Sequence, residues 1–193
     1  MLPDKKPTTD FKEYIVKVYY LELLSRDQIR FETKMATSAK MEIASNGDPD
    51  LARSLYLEVG EDWYWVDRYF WSFEQWRNRL SDPSVSLWIM KSDFETLGYY
   101  ELEKHQDDSI EICYFGLLPN SIGLGLGGQM LTDALRRAFD LGASRLWLHT
   151  CCLDHPNALA NYKSRGMEIY KICQEVQLIP QGWSVPSRFS RGC

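Results

Sequence analysis

Apolar positions along the chain predict an alternation of strands and helices. Residues 14–24 are rich in β-branched and aromatic side chains and predict a first strand, and a short strand is expected at 40–44. The short turns between the third, fourth and fifth predicted strands favour an antiparallel meander. The remaining strands are predicted at 84–90, 97–104, 109–118, 145–150 and 167–178.

Four helices are predicted from their end signals and their apolar period. Asp48 before Pro49 is typical of a helix start. Ser72, with Gln75 three positions later, indicates a second start, and the Asp-Pro pair at 82–83 ends that helix. Two further helices are expected at 125–141 and 156–165.

The most informative stretch is 109–131, which has the order strand, glycine loop, helix. Gly123, Gly125, Gly127 and Gly128 fall within six positions, and apolar residues then recur at three- and four-residue steps. The first amides of a helix have no partner within it, and the helix dipole is positive at that end. Because glycines let an anion approach those amides closely, the stretch predicts a site for phosphate or pyrophosphate.

Three other interpretations of this loop were weighed. A P-loop requires Gly-Lys-Ser/Thr, whereas Gly127, Gly128 and Gln129 occupy that place. The dinucleotide pattern G-x-G-x-x-G is met formally by 123–128, but the strand predicted at 145–150 lacks the acidic residue expected at its end. A glycine turn that only lets the helix pack on the sheet is the remaining alternative.

A second motif follows at 153–167, where Asn157, Tyr162, Gly166 and Met167 are spaced along a short helix and its end. With the glycine loop, this segment resembles the GNAT superfamily of acyl-CoA-dependent N-acetyltransferases over roughly 95–175. The sequence departs from the pattern of this family at two positions, and the spacing between its asparagine and tyrosine is also shifted. Ile122 stands where Arg or Gln is usual, and Met167 replaces a phenylalanine.

The resemblance implies an α/β fold, with a mixed, mostly antiparallel central sheet of about seven strands flanked by helices. It places one acetyltransferase domain at 11–178, with its loop and cofactor part at 109–166. Residues 1–10 are expected to be a loose N-terminal tail, and 179–193 a C-terminal tail.

The resemblance also implies that acetyl-CoA is the cosubstrate. Its pyrophosphate would lie on the glycine loop, its pantetheine arm would pair with the end of the 109–118 strand, and an amide near Leu117 would polarise the thioester carbonyl. The residues assigned to this site are Leu117, Leu118, Gly123, Leu124, Gly125, Leu126, Gly127, Gly128 and Asn157.

Catalytic roles follow from the chemistry of amide formation. An ammonium must lose a proton before its nitrogen can attack, and Glu111 is the predicted base, with Glu101 and Glu103 as rivals. Strand alternation places Glu111 on the same face as Cys113 and Leu117. The resemblance makes Tyr162 the acid that protonates the departing thiolate, since a phenol can donate to it. For each residue a plain structural role is the alternative.

The acceptor would be a primary amine on a small molecule, attacked directly in a ternary complex, as the resemblance implies. Residues 63–73 are crowded with aromatic side chains that can hold an amine by cation–π contact. The predicted acceptor-binding residues are Trp63, Trp65 and Tyr69, with charge from Glu61, Asp62 or Asp67. Packing in the core is the alternative for most of these rings. Other function classes kept open are a non-catalytic acyl-CoA-binding or regulatory domain and an O- or S-acyltransferase.

The composition and charge of the chain exclude several classes of binding partner. The formal net charge of −5, with no concentrated basic stretch, argues against nucleic acid and anionic membranes, and no apolar run is long enough to span a bilayer. No signal peptide is evident, so a cytoplasmic location with five reduced cysteines is expected. The histidines and cysteines at 149–155 lack the spacing of a metal site, so no metal is predicted. The exposed aromatic block is one place where two copies would pair.

Overall fold

The computed structural model describes residues 10–30, 40–43, 48–181 and 183. Within this part of the chain, seven strands and four α-helices alternate as the sequence predicts. In chain order they are β1 (Phe11–Leu23), β2 (Lys40–Ile43), α1 (Pro49–Gly60), α2 (Phe73–Ser81), β3 (Val85–Lys91), β4 (Thr96–Lys104), β5 (Ser109–Leu117), α3 (Leu126–Asp140), β6 (Arg145–Cys151), α4 (Ala158–Ser164) and β7 (Glu168–Pro180).

All seven strands form one sheet, in the order β2-β3-β4-β5-β6-β1-β7. Neighbouring strands are antiparallel except β5 and β6, which are parallel because α3 carries the chain back between them. The predicted α/β fold, with a mostly antiparallel sheet of about seven strands, is therefore confirmed.

Helices cover both faces of the sheet. The helix α3 buries its apolar stripe, including Leu131 and Leu135, against β1, β4, β5 and β6 on one face. On the opposite face, α1 and α2 pack Tyr56 and Trp76 against β3 and β4. Gly116 allows α1 to lie close to β5, since a Cβ at that position would be 2.2 Å from the Val59 side chain.

The predicted starts of α1 and α2 are confirmed by their hydrogen bonds. The Asp48 side chain accepts from the first amides of α1. At α2, the Ser72 hydroxyl accepts from the Gln75 amide while the Gln75 side chain accepts from the Ser72 amide. These local caps explain why both boundaries could be predicted from sequence alone.

Three boundaries differ from prediction by two or three residues. The strand β1 begins at Phe11 rather than residue 14, and α4 begins at Ala158 because residues before it form a turn. The strand β7 continues to Pro180, paired with Phe11, and Ile179 is buried. The predicted domain end at 178 is therefore two residues early. Most of the two predicted tails lies outside the described residues.

None of the helices in the described part of the chain combines the length and the apolar character needed to cross a bilayer.

Candidate functional site

The site begins where two strands separate. The strands β5 and β6 pair only from Ser109↔Arg145 to Glu111↔Trp147. Beyond this point β5 stays with β4 and β6 stays with β1, so a gap opens between them. A cavity of about 750 Å³ fills the gap and is lined on one face of the sheet by the α3–α4 region and on the other by the segment after α1.

A β-bulge at Cys113 sets what the strand β5 presents to this gap. Ile112 is paired with Leu102 and Tyr114 with Glu101, so Cys113 is the extra residue. Side chains before and after the bulge therefore alternate out of phase. Phe115 and Leu117 join the core beneath α3, whereas Tyr114 joins the core beneath α1 and α2.

The backbone of β5 supports the assignment of Leu117 but not that of Leu118. The Leu118 amide donates to the Leu97 carbonyl (2.9 Å), so it is used within the sheet. In an antiparallel pair the backbone groups alternate in direction, which turns those of Phe115 and Leu117 toward the gap. Both of these residues line the cavity, whereas Leu118 packs against the α1–α2 core.

The glycine loop lies at the α3 end of the cavity. Gly123 and Gly125 have φ values of +86° and +75°, and a Cβ at either would meet no described atom within 4 Å. Their backbone conformation, not crowding, requires glycine. The exposed Leu124 side chain lies outside the lining. The other loop residues, Gly123, Gly125, Leu126, Gly127 and Gly128, line the cavity.

Gly125 is the N-cap residue of α3, and no side chain in the described part of the chain caps this helix end. The residues of this first turn line the cavity and their amides carry no capping carboxylate or hydroxyl, which is the arrangement an anion can use.

Two polar residues of the α4 segment, missed by the sequence analysis, lie beside this helix end. The Arg165 Nε donates to the Gly128 carbonyl (3.3 Å), and the Asn161 Nδ2 donates to the Gly127 carbonyl (3.4 Å). Both line the cavity, as does the predicted Asn157. The only sequence signal for Arg165 and Asn161 was their place one helical turn or more after Asn157.

Tyr162 reaches the cavity from α4 on the same face as the glycine loop. It is buried, lines the cavity, and its ring meets that of Phe115 edge-on at 6.1 Å. Burial raises its pKa well above the ordinary value for a phenol, so the hydroxyl is neutral at physiological pH. The structure thus brings Tyr162 and Leu117 to one cavity.

Glu111 is placed differently from the prediction. The bulge at Cys113 puts Glu111 and Cys113 on the α1–α2 face but Leu117 on the α3 face, so the expected shared face of Glu111 and Leu117 is wrong. Glu111 does not line the cavity. Its carboxylate instead lies 3.2 Å from His105 Nε2 and 3.7 Å from His149 Nδ1.

Of Glu111, His105 and His149, His149 is the residue that lines the cavity. It follows the last parallel pair of β6 by two residues and faces away from the α3 core, since Leu148 points into that core. The Glu111 carboxylate is the main cause that raises the pKa of His149 above its ordinary value.

The two rival glutamates are held by arginines. Glu101 is almost completely buried and accepts bidentate hydrogen bonds from Arg68 at 2.8 and 2.9 Å, together with Arg79 at 2.6 Å. Arg79 also donates to Glu103 (2.7 Å) and is the main cause that lowers the pKa of Glu103. Neither carboxylate lines the cavity. Both belong to a packed ion cluster beneath α2, which disfavours a role as base.

The α1–α2 end of the cavity is aromatic. Trp63 and Trp65 line it as predicted, and the Trp63 ring lies 5.0 Å from that of His155. Trp65 packs edge-on to Tyr114 at 4.9 Å, so one of its edges belongs to the core. Tyr69 does not line the cavity and instead packs against Trp183.

Two carboxylates accompany these rings. Asp67 is exposed and accepts from the Tyr114 hydroxyl at 3.4 Å. Asp154 accepts from the Thr150 hydroxyl and the Cys151 amide, and burial raises its pKa. Glu61 and Asp62, the two other acids predicted to supply charge, lie outside the cavity lining.

The cavity therefore has opposite charges at its two ends. Of the described lysines and arginines, Arg165 alone lines it, at the glycine loop, whereas Asp67 and Asp154 lie at the aromatic end. Such an arrangement favours a ligand with an anionic portion at one end and a cationic one at the other.

The state of the described cysteines differs from prediction at one position. Cys113, Cys151 and Cys173 are free, but Cys152 is disulfide-bonded, so the expectation of five reduced cysteines is wrong for this residue. Burial raises the pKa of the Cys151 thiol to about 12, which leaves it protonated.

Within the described residues, one group has metal-ligand spacing: Glu103, Glu111 and Cys113. The Arg79 guanidinium already contacts Glu103 and Cys113, and its positive charge opposes a cation there.

Comparison with known proteins agrees with this geometry. Residues 51–167 match the family described as Acetyltransferase (GNAT) family. A mycothiol acetyltransferase of Corynebacterium efficiens is 30% identical over 113 residues, which are 53% of this chain and 38% of that protein. The chain thus spans well under half the length of this curated relative.

Solved structures show the same fold. A GCN5-related N-acetyltransferase from Sphaerobacter thermophilus superposes with a TM-score of 0.65 at 14% identity, covering 91% of this chain and 55% of that one. A spermidine N-acetyltransferase from Vibrio cholerae, solved with CoA and spermine, gives a TM-score of 0.56 at 19% identity, covering 73% of this chain and 93% of that one. Since the family match covers more than half of the residues, this chain belongs to the GNAT acetyltransferase family.

Proposed function

We propose that this protein transfers an acetyl group from acetyl-CoA directly to a primary amine of a small molecule, with both substrates bound together. The observation that carries this proposal is one continuous cavity between β5 and β6, which joins the glycine loop at one face of the sheet to the acidic, aromatic residues at the other. A ternary complex needs such a passage, because the thioester and the amine must meet between the two ends.

At the glycine end, the pyrophosphate of acetyl-CoA would accept hydrogen bonds from the first amides of α3, whose N-cap is Gly125. Arg165 supplies a positive charge beside them. Ile122 is apolar and stands where the family usually has a polar residue. The charge of Arg165 takes the place of that missing polar contact.

In the gap, the pantetheine arm would pair with the backbone groups of Phe115 and Leu117, which face away from β4. The Leu117 amide is then the donor for the thioester oxygen as negative charge develops on it. Tyr162, neutral because of its burial, would protonate the departing sulfur.

At the far end, Asp67 and Asp154 favour an acceptor that carries positive charge, and Trp63 offers a ring face to it. These groups favour an amine as the acceptor over an alcohol or a thiol, because a neutral alcohol or thiol is not attracted by the negative charge of the carboxylates. The spermidine N-acetyltransferase from Vibrio cholerae, which has this fold, was solved with spermine, and this supports including polyamines among the acceptors tested.

The first test is a calorimetric titration of acetyl-CoA into the protein, with CoA and NADH as comparison ligands. Micromolar binding of both CoA species without binding of NADH is expected. Transfer is then followed as thiol release with spermidine, putrescine, tryptamine and benzylamine as acceptors.

Tyr162→Phe should bind acetyl-CoA as the unchanged protein does and lose turnover. Absence of CoA binding would overturn the proposal. Binding without thiol release from any amine, alcohol or thiol would favour a non-catalytic acyl-CoA-binding domain instead.

A further inference from the structure

The predicted base, Glu111, does not itself reach the cavity. Its side chain is only 14% exposed, and its carboxylate is directed at two histidines. One oxygen lies 3.2 Å from His105 Nε2, and the other lies 3.7 Å from His149 Nδ1. A proton taken from the acceptor would therefore have to pass through another group.

His149 is suitably placed to be that group. It lines the cavity on the free edge of β6, just beyond the point where β5 and β6 separate. Its side chain faces the acceptor side of the sheet, where the ring packs against Tyr20 at 5.6 Å. His105 contacts the same carboxylate but does not line this cavity.

We propose that His149 is the general base of the transfer and that Glu111 is a positioning residue, whose carboxylate lies 3.7 Å from Nδ1, attracts the N–H of that nitrogen electrostatically and leaves Nε2 to accept the proton. This assignment rests on the proposed acetyl transfer. A carboxylate behind a histidine fixes the tautomer of the ring and stabilises the imidazolium that forms.

The proton balance of the step is complete. The acceptor ammonium gives one proton to His149 Nε2, and the freed nitrogen lone pair forms a bond to the thioester carbon. The tetrahedral intermediate collapses by breaking the carbon–sulfur bond. The nitrogen loses its second proton as the sulfur gains one through Tyr162, and His149 then returns its proton to solvent.

The groups around His149 from the neighbouring elements favour its protonated form. Glu111 on β5, Asp154 in the loop after β6 and Glu175 on β7 each raise the pKa of His149 through their negative charge. Tyr20, from β1, donates its hydroxyl to Glu175 at 2.7 Å. All three acids are negatively charged when ionised, so an imidazolium at His149 is stabilised from three sides.

Matched glutamine variants test the assignment through the pH dependence of kcat/KM. His149→Gln should lower kcat/KM by about 100-fold or more and remove the decline at acidic pH, since a general base contributes on this scale. Glu111→Gln should lower activity less and shift the decline to lower pH, because the carboxylate no longer stabilises the imidazolium. His105→Gln, which removes the other partner of Glu111, should stay within about threefold of the unchanged protein.

Histidine ring titration by NMR examines the pair without any acceptor. The chain has three histidines, so single substitutions assign every signal. His149 should titrate above the ordinary histidine value, and Glu111→Gln should move its midpoint toward lower pH.

The outcomes separate the two claims. If the unchanged protein releases thiol with an amine but His149→Gln retains the activity and its acidic decline, the base assignment is overturned while the transferase stands. A His149 midpoint that Glu111→Gln does not move overturns the positioning role. If the unchanged protein binds no acetyl-CoA, the proposed transferase itself fails.

Discussion

The two ends of the cavity are built in different ways. At the glycine end, positive φ angles at Gly123 and Gly125 and the start of α3 present backbone amides. At the aromatic end, side chains of Trp63, Asp67 and Asp154 form the wall. The first end is encoded in a few adjacent residues, whereas the second is assembled from segments far apart in the chain.

This difference has a functional consequence. A backbone site tolerates changes of side chain as long as the conformation is kept, so it suits a cosubstrate with a fixed anionic part. A side-chain site changes its preference with each substitution, so it suits an acceptor that differs between relatives. The comparison therefore predicts that binding of acetyl-CoA depends on conformation at one end, and selection of the acceptor on charge at the other.

Among changes at the two ends of the cavity, the largest effect on acetyl-CoA affinity is expected from Gly125→Val. A valine at φ +75° is strained by about 1–2 kcal/mol, and its side chain would extend into the space beside the first amides of α3. The free loop should relieve this strain by leaving the conformation that binds phosphate, so regaining that conformation weakens acetyl-CoA binding roughly 5- to 30-fold, and steric displacement of the phosphate adds to the loss. Calorimetric titration measures this change directly.

Leu124→Ala is the matched control, because the Leu124 side chain is exposed and lies outside the cavity lining. Its affinity for acetyl-CoA should stay within about twofold, since the backbone is unchanged. An equal loss in both variants would mean that loop side chains, not backbone conformation, hold the cosubstrate.

The same contrast explains what the sequence could reveal. The order of the elements and the glycine loop depend on local signals, such as the Ser72–Gln75 cap and the apolar stripe of α3, and these were predicted. Arg165 could not be recognised, because its contact with the Gly128 carbonyl bridges 37 positions of the chain.

The placement of Glu111, the base predicted from the sequence, shows a different limit. Simple alternation placed Glu111 and Leu117 on one face, but the extra residue Cys113 inverts the alternation between them. A bulge depends on how β4 and β5 pair, which no single strand encodes. For the same reason the contact between Glu111 and His149, on neighbouring parallel strands, was beyond sequence reasoning.

Charge at the glycine end is tested by Arg165→Gln. The glutamine can still donate to the Gly128 carbonyl but removes the positive charge beside the proposed phosphate position. Acetyl-CoA affinity should fall about tenfold at low salt, because the phosphate keeps its bonds to the α3 amides and the loss lies at the lower end of the roughly 1.5–3 kcal/mol that a hydrogen bond to a charged group contributes.

Lys163→Gln removes an equal charge from an exposed position of the same segment that lies outside the lining. Its affinity should be unchanged within error. A similar loss in the lysine variant would attribute the effect to net charge rather than to the position of Arg165, and the difference between the two ends would lose its electrostatic part.

Asp67→Asn is expected to give the smallest effect and examines the other end. Asp67 is exposed, so its attraction for a cationic acceptor is screened and amounts to about 0.2–1 kcal/mol. KM for spermidine should rise about two- to fivefold at low salt, with acetyl-CoA affinity unchanged, and the difference from the unchanged protein should vanish near 1 M salt. Steady-state kinetics at two salt concentrations measure both quantities.

Asp62→Asn, at an exposed position outside the cavity lining, is the matched control and should leave KM for spermidine unaltered. If Asp67→Asn instead weakened acetyl-CoA and left KM for spermidine unchanged, the carboxylates at the aromatic end would have no part in choosing the acceptor, and charge would act at the glycine end alone.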